Sequence, residues 1–81
     1  MVTILNYGLG NLGSIQNMLN FLEVETKITS DIDIIKNASK IILPGVGAFD
    51  TAMQKLRSIN GLLDILNHKV LIEKVPVLGI C

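Results

Sequence analysis

Val2-Thr3-Ile4-Leu5-Asn6-Tyr7-Gly8-Leu9-Gly10-Asn11-Leu12-Gly13-Ser14-Ile15 changes its hydrophobic period partway along, and that change decides the fold. Val2 to Leu5 is a short, apolar, β-branched run, as in a buried strand. Glycines then break it. Beyond them Leu12, Ile15, Met18, Leu19 and Leu22 recur at spacings of three and four, which predicts an amphipathic helix over about residues 12–22. Asn11 stands where the N-cap of that helix belongs. A strand running through a glycine turn into a helix is the first half of a β-α-β unit.

The rest of the chain continues the pattern. Val24 to Thr29 alternates apolar and polar, as a half-buried second strand would. Ser30 or Asp31 is placed to cap a short helix over Ile32 to Lys36, with Asp31 and Asp33 read as helix-start charges rather than an acid/base pair. Asn37 to Lys40 is a turn, and Ile41-Ile42-Leu43 is the third strand. After the break at Pro44-Gly45-Val46-Gly47, Asp50 is expected to cap a helix with Ala52, Met53 and Leu56 on one side. Asn60-Gly61 closes it by C-cap chemistry. Leu62, Leu63, Ile65, Leu66 and Val70 predict a further helical stretch containing a polar break, Asn67-His68-Lys69. The last strand is Val75 to Ile80. Strands alternating with helices, the strands nearly continuous in apolar residues, predict an α/β fold: three layers around a mostly parallel central sheet.

Composition narrows the function. Eighty-one residues make one compact unit at most, and a hydrophobic fraction of 49%, with Ile and Leu supplying 24 residues, excludes disorder. Seven Lys/Arg balance seven Asp/Glu, so no electrostatic footprint for nucleic acid or an anionic membrane exists. The longest apolar run, Ile41 to Phe49, is cut by Pro44, Gly45 and Gly47, which excludes a membrane span within it. No basic residue precedes the first apolar run, so it is not read as a signal peptide. A single cysteine excludes an internal disulfide and suits a reducing compartment, which points to the cytoplasm. No residue cluster has metal-ligand spacing. The chain stops at Cys81 directly after an apolar strand, which reads as a fragment of a longer domain.

Three stretches carry chemistry. Gly8-Leu9-Gly10-Asn11-Leu12-Gly13 is a literal G-x-G-x-x-G after a strand and before a helix, with Asp31 placed as a ribose-binding acid would be; Tyr7 intrudes between strand and first glycine. A tight structural turn, a dinucleotide site and another backbone-binding role all remain open for it. Pro44-Gly45-Val46-Gly47-Ala48-Phe49 follows the third strand, where paired glycines let a peptide turn an N–H toward a substrate oxygen; a plain turn is the alternative. Leu78-Gly79-Ile80-Cys81 puts a thiol at the end of a buried parallel strand, where nucleophile elbows form, although a lone cysteine is usually a small buried hydrophobe. His68, the only histidine, reads as a solvated residue whose place in the chain keeps it from Cys81.

Tyr7-Gly8-Leu9-Gly10-Asn11-Leu12, Leu43-Pro44-Gly45-Val46-Gly47-Ala48-Phe49 and Pro76-Val77-Leu78-Gly79-Ile80-Cys81, in this order and spacing, resemble the class I, triad-type glutamine amidotransferases. The first two point to the glutaminase subunit of imidazole glycerol phosphate synthase in histidine biosynthesis. The resemblance spans the whole chain and implies that residues 1–81 are the N-terminal part of a single glutamine amidotransferase domain, truncated at the nucleophile elbow. It implies that Cys81 is the catalytic nucleophile toward glutamine, that Gly45, Val46 and Gly47 form the oxyanion strand, and that Asn11 and Ser14 face a (β/α)₈-barrel cyclase or synthase partner that consumes the ammonia. It implies no cofactor, and it places the triad His and Glu beyond residue 81. Asn6, where Asp is common, and Gly13, where a basic residue is common, depart from the pattern and leave open a related subunit feeding surface-sugar biosynthesis.

Overall fold

The computed structural model describes residues 1–8, 10–45 and 49–80. In chain order these form β1 (Val2–Leu5), α1 (Leu12–Phe21), β2 (Thr26–Thr29), α2 (Ile32–Lys36), β3 (Ile41–Pro44), α3 (Phe49–Ser58), α4 (Leu62–Leu71) and β4 (Val77–Ile80). The strands pair in parallel in the order β2-β1-β3-β4. The expected α/β, parallel-sheet architecture is therefore present.

Alternation along the strands divides the core in two, because successive side chains leave opposite faces of a sheet. Ile4 and Ile42 pack with Ile15 of α1, joined by Leu12, Leu19 and Ile28. Leu5 and Ile41 point the other way, onto Ile35 of α2, Leu56 of α3, and Leu62 and Leu66 of α4. The chain steps from β1 outward to β2 under α1, then back past β1 to β3 under α2. Reversing direction while keeping one crossover hand requires the helix to change faces, which is how three layers arise. Among the described residues the α2–α4 face is the thicker one, with eight buried residues in its cluster against three. At roughly 1.5–3 kcal/mol per buried aliphatic side chain, most of the hydrophobic stabilisation lies there.

Several details differ from the periodicity. Met18 and Leu22 were expected in the buried stripe of α1 but are 51% and 61% exposed, since one layer of sheet contacts only the narrow line Leu12, Ile15, Leu19. Asp50 is not a cap; α3 already begins at Phe49, and Asp50 lies in its first turn, where a carboxylate favours the positive end of the helix. Asp31 rather than Ser30 caps α2, accepting from the Asp33 N–H at 2.9 Å. Gly61, at φ +83°, closes the connection after α3 and serves as the N-cap of α4, its carbonyl accepting from Ile65 N–H. The second and fourth strands are shorter than read, beginning at Thr26 and Val77.

Asn67-His68-Lys69 does not break α4, which continues to Leu71. Lys69 follows Leu62 and Leu66 at helical spacing and is 1% exposed. Its ammonium donates to the Lys36 carbonyl at the end of α2 (2.7 Å) and to Glu73 Oε1 (3.1 Å). The other Glu73 oxygen meets His68 Nδ1 at 3.0 Å. The hydrogen bond from Lys69 holds the Glu73 carboxyl below the usual glutamate range, with the Lys69 charge and the His68 contact acting the same way against some desolvation. Backbone bonds from Val75 N–H to the Lys69 carbonyl and from Ile41 N–H to the Pro76 carbonyl lead the chain from this joint into β4.

Candidate functional site

In a doubly wound sheet, ligands bind at the carboxyl ends of the strands where the winding reverses. Here that point lies between β1 and β3, whose ends lead into the two glycine-rich stretches. They touch. Gly10 has φ +87°, and a Cβ built on it would stand 2.4 Å from Pro44 Cβ, so only glycine lets the first turn seat against the proline. Tyr7 is 3% exposed, and its hydroxyl donates to the Pro44 carbonyl, bridging the ends of β1 and β3. Gly8, at φ +92°, lies under the Lys55 stem of α3, 3.9 Å from the position of a Cβ.

This geometry weighs against the dinucleotide alternative. What approaches Gly10 is a buried proline of the same chain. Gly13 is already inside α1, and the Asn11 side chain accepts from Ser14 N–H at 3.1 Å, occupying one of the first-turn donors a pyrophosphate would use. Asp31, the candidate ribose ligand, spends its carboxylate on capping α2. Asp31 and Asp33 are thus helix-start groups, as expected.

Of the oxyanion-strand candidates, Gly45 follows β3 directly and is half-buried, while Val46 and Gly47 lie outside the described residues. Cys81 also lies outside them; Ile80, before it, ends β4 opposite Pro44 in register. Ile80 therefore stands at the same end of the sheet as Gly45. Gly79 has nothing within 4 Å of where a Cβ would stand, so no described neighbour demands glycine there. Asn11 and Ser14 are exposed at the start of α1, at the same end. His68 is on the opposite side: it contacts Glu73, before β4, and the four residues of β4 add roughly 13 Å more. It does not reach the carboxyl end of that strand. No group of three or more His, Cys, Asp or Glu able to hold a metal occurs among the described residues, and no described helix is long and apolar enough to cross a membrane.

Sequence reading treated Tyr7 as an intrusion in a glycine motif and as the first residue of the stretch carrying the family resemblance, and missed its hydroxyl bond to Pro44. A buried tyrosine needs a partner for its hydroxyl, which was the available signal.

No family model matches the chain. Over 81 residues it is 52% identical to imidazole glycerol phosphate synthase subunit HisH 2 of Methanococcus maripaludis, covering 100% of this chain and 40% of that protein. It is 44% identical to HisH 2 of Pseudomonas aeruginosa, with the same coverage of each, and 44% identical to HisH of Archaeoglobus fulgidus, covering 100% and 38%. The chain spans about 40% of the length of the curated relatives it matches.

Proposed function

We propose that this chain, 52% and 44% identical over its 81 residues to HisH subunits of imidazole glycerol phosphate synthase, forms the nucleophile-bearing part of a glutamine amidotransferase domain. The Cys81 thiolate attacks the side-chain amide carbon of glutamine. A C–S bond forms as the carbonyl electron pair moves to oxygen, and the oxyanion rests on N–H groups of the Gly45-Val46-Gly47 strand. Collapse breaks the C–N bond, the nitrogen leaves with a proton as ammonia, and water hydrolyses the thioester to glutamate. The imidazole that carries the thiol proton to the leaving nitrogen belongs to the length of the relatives that these residues do not span. Thioester chemistry of this kind calls for no cofactor.

Ammonia then passes to a (β/α)₈-barrel cyclase subunit, with Asn11 and Ser14 on the face toward it, in the cytoplasm. The observation that carries this reading is the contact between the two glycine turns at the switch point, Gly10 on Pro44, in a chain that aligns from end to end with HisH. The test is Cys81→Ser in the full-length subunit. Glutaminase activity should vanish while the partner still makes product from added ammonium; a variant that goes on hydrolysing glutamine overturns the assignment.

A further inference from the structure

We infer that Tyr7 is a positioning residue for the oxyanion strand, its hydroxyl fixing the direction in which the Gly45 N–H points. The inference rests on the glutaminase reading and deepens it. Gly45 has no side chain of its own to hold its peptide. What sets the direction at its start is the peptide before it. The Pro44 carbonyl accepts the Tyr7 hydroxyl, and in a trans peptide the carbonyl and the following N–H lie on opposite sides. Holding the oxygen on Tyr7 therefore aims the Gly45 N–H away from Tyr7.

Two further features keep the hold in place. Pro44 is fully buried, and Gly10 sits so close that even a methyl group would strike the ring at 2.4 Å, so the proline cannot withdraw toward β1. Tyr7 itself is buried at the end of β1, whose ladder continues through the Asn6 N–H to the Thr29 carbonyl at 2.9 Å, so its ring has little room to shift. Its hydroxyl thus acts on the last peptide of β3, where the pairing of Pro44 with Ile80 ends the strand ladder.

The test is Tyr7→Phe in the full-length subunit bound to its cyclase partner, which keeps the ring and removes only the hydroxyl. Rates are normalised to active sites titrated with a glutamine-analogue electrophile, so unfolded protein does not count. Because an oxyanion donor acts in the transition state and not in ground-state binding, kcat should fall about ten-fold while KM for glutamine stays within about two-fold. Unchanged kcat, or a loss confined to KM, overturns the role of Tyr7. Cys81→Ser assayed alongside separates the two failures: if that variant remains active, the glutaminase reading itself falls, whereas an inactive Cys81→Ser with a fully active Tyr7→Phe removes only the positioning role.

Discussion

The two ends of the parallel sheet are built from opposite materials. At the amino ends of β3 and β4, three titratable side chains within six residues, His68, Lys69 and Glu73, bond to one another and to the end of α2. At the carboxyl ends of β1 and β3, the contacts are made by glycines, a proline and one tyrosine hydroxyl. Charge density would direct a search for chemistry to the amino end, yet His68, Lys69 and Glu73 are absorbed in joining α4 to α2 and turning the chain into β4. Residues with little side-chain chemistry leave backbone amides available, and a backbone amide is what an oxyanion needs. The difference teaches that in this fold the joint is made of side chains and the proposed site of main chain.

Substitution at the two ends should separate these roles. The largest effect is expected from Gly10→Ala, which puts a side chain at positive φ and drives it into Pro44. The strained conformation and the overpacking together should cost about 2–5 kcal/mol in denaturant unfolding, and surviving protein should show a lowered kcat. Stability and kcat both at native levels would break the contrast. Asn11→Ala removes the cap of α1 and should cost about 1 kcal/mol. If Asn11 also faces the cyclase, the stimulation of glutaminase activity by that partner should weaken further than the stability change accounts for; titration of one subunit with the other measures it.

At the amino end, Lys69→Met keeps the buried stem and loses the ammonium bonds, so a loss of about 1 kcal/mol or less is expected with kcat unchanged. A fall in kcat would show that the joint reaches the site. The smallest effect belongs to pH. Glu73 has a folded-state pKa below its ordinary value of 4.5, so its contribution is complete above that value and is lost as pH falls through the depressed one. Thermal melts of native protein and Glu73→Gln should differ above pH 4.5 and converge below it, modestly, because the Glu73 side chain is 38% exposed and screened by solvent. A difference independent of pH would remove the ion pair from the account.

How legible these regions were in the sequence follows from the range of the interactions. Strands and helices answer to local periodicity, so Val2–Leu5 and Ile32–Lys36 could be read to the residue. Capping by Asn11 is a bond over three residues and was legible too. The contact of Tyr7 with Pro44 crosses 37 residues, and no period encodes it. Lys69 shows a different failure. Its spacing from Leu62 and Leu66 places it on the buried face, but a cation there is costly unless it finds acceptors, and those lie on α2 and beyond the helix end. Val46, Gly47 and Cys81 lie outside the described residues, so their roles rest on motif and on resemblance.

The strand order bears on how the molecule is made. β1 leaves the ribosome before β2, β3 and β4 yet occupies an inner position, with β2 on one side and β3 on the other. Its pairing with β2 joins Val2 to Thr26 and needs only the first β-α-β unit, whereas Thr3 must wait for Ile41 before the other edge closes. During synthesis at about 5–20 residues per second, that second edge stays open for on the order of a second, exposing Ile4 and Leu5 to other nascent chains. Slowing translation between Thr29 and Ile41 should therefore raise co-translational aggregation more than an equal pause after β3.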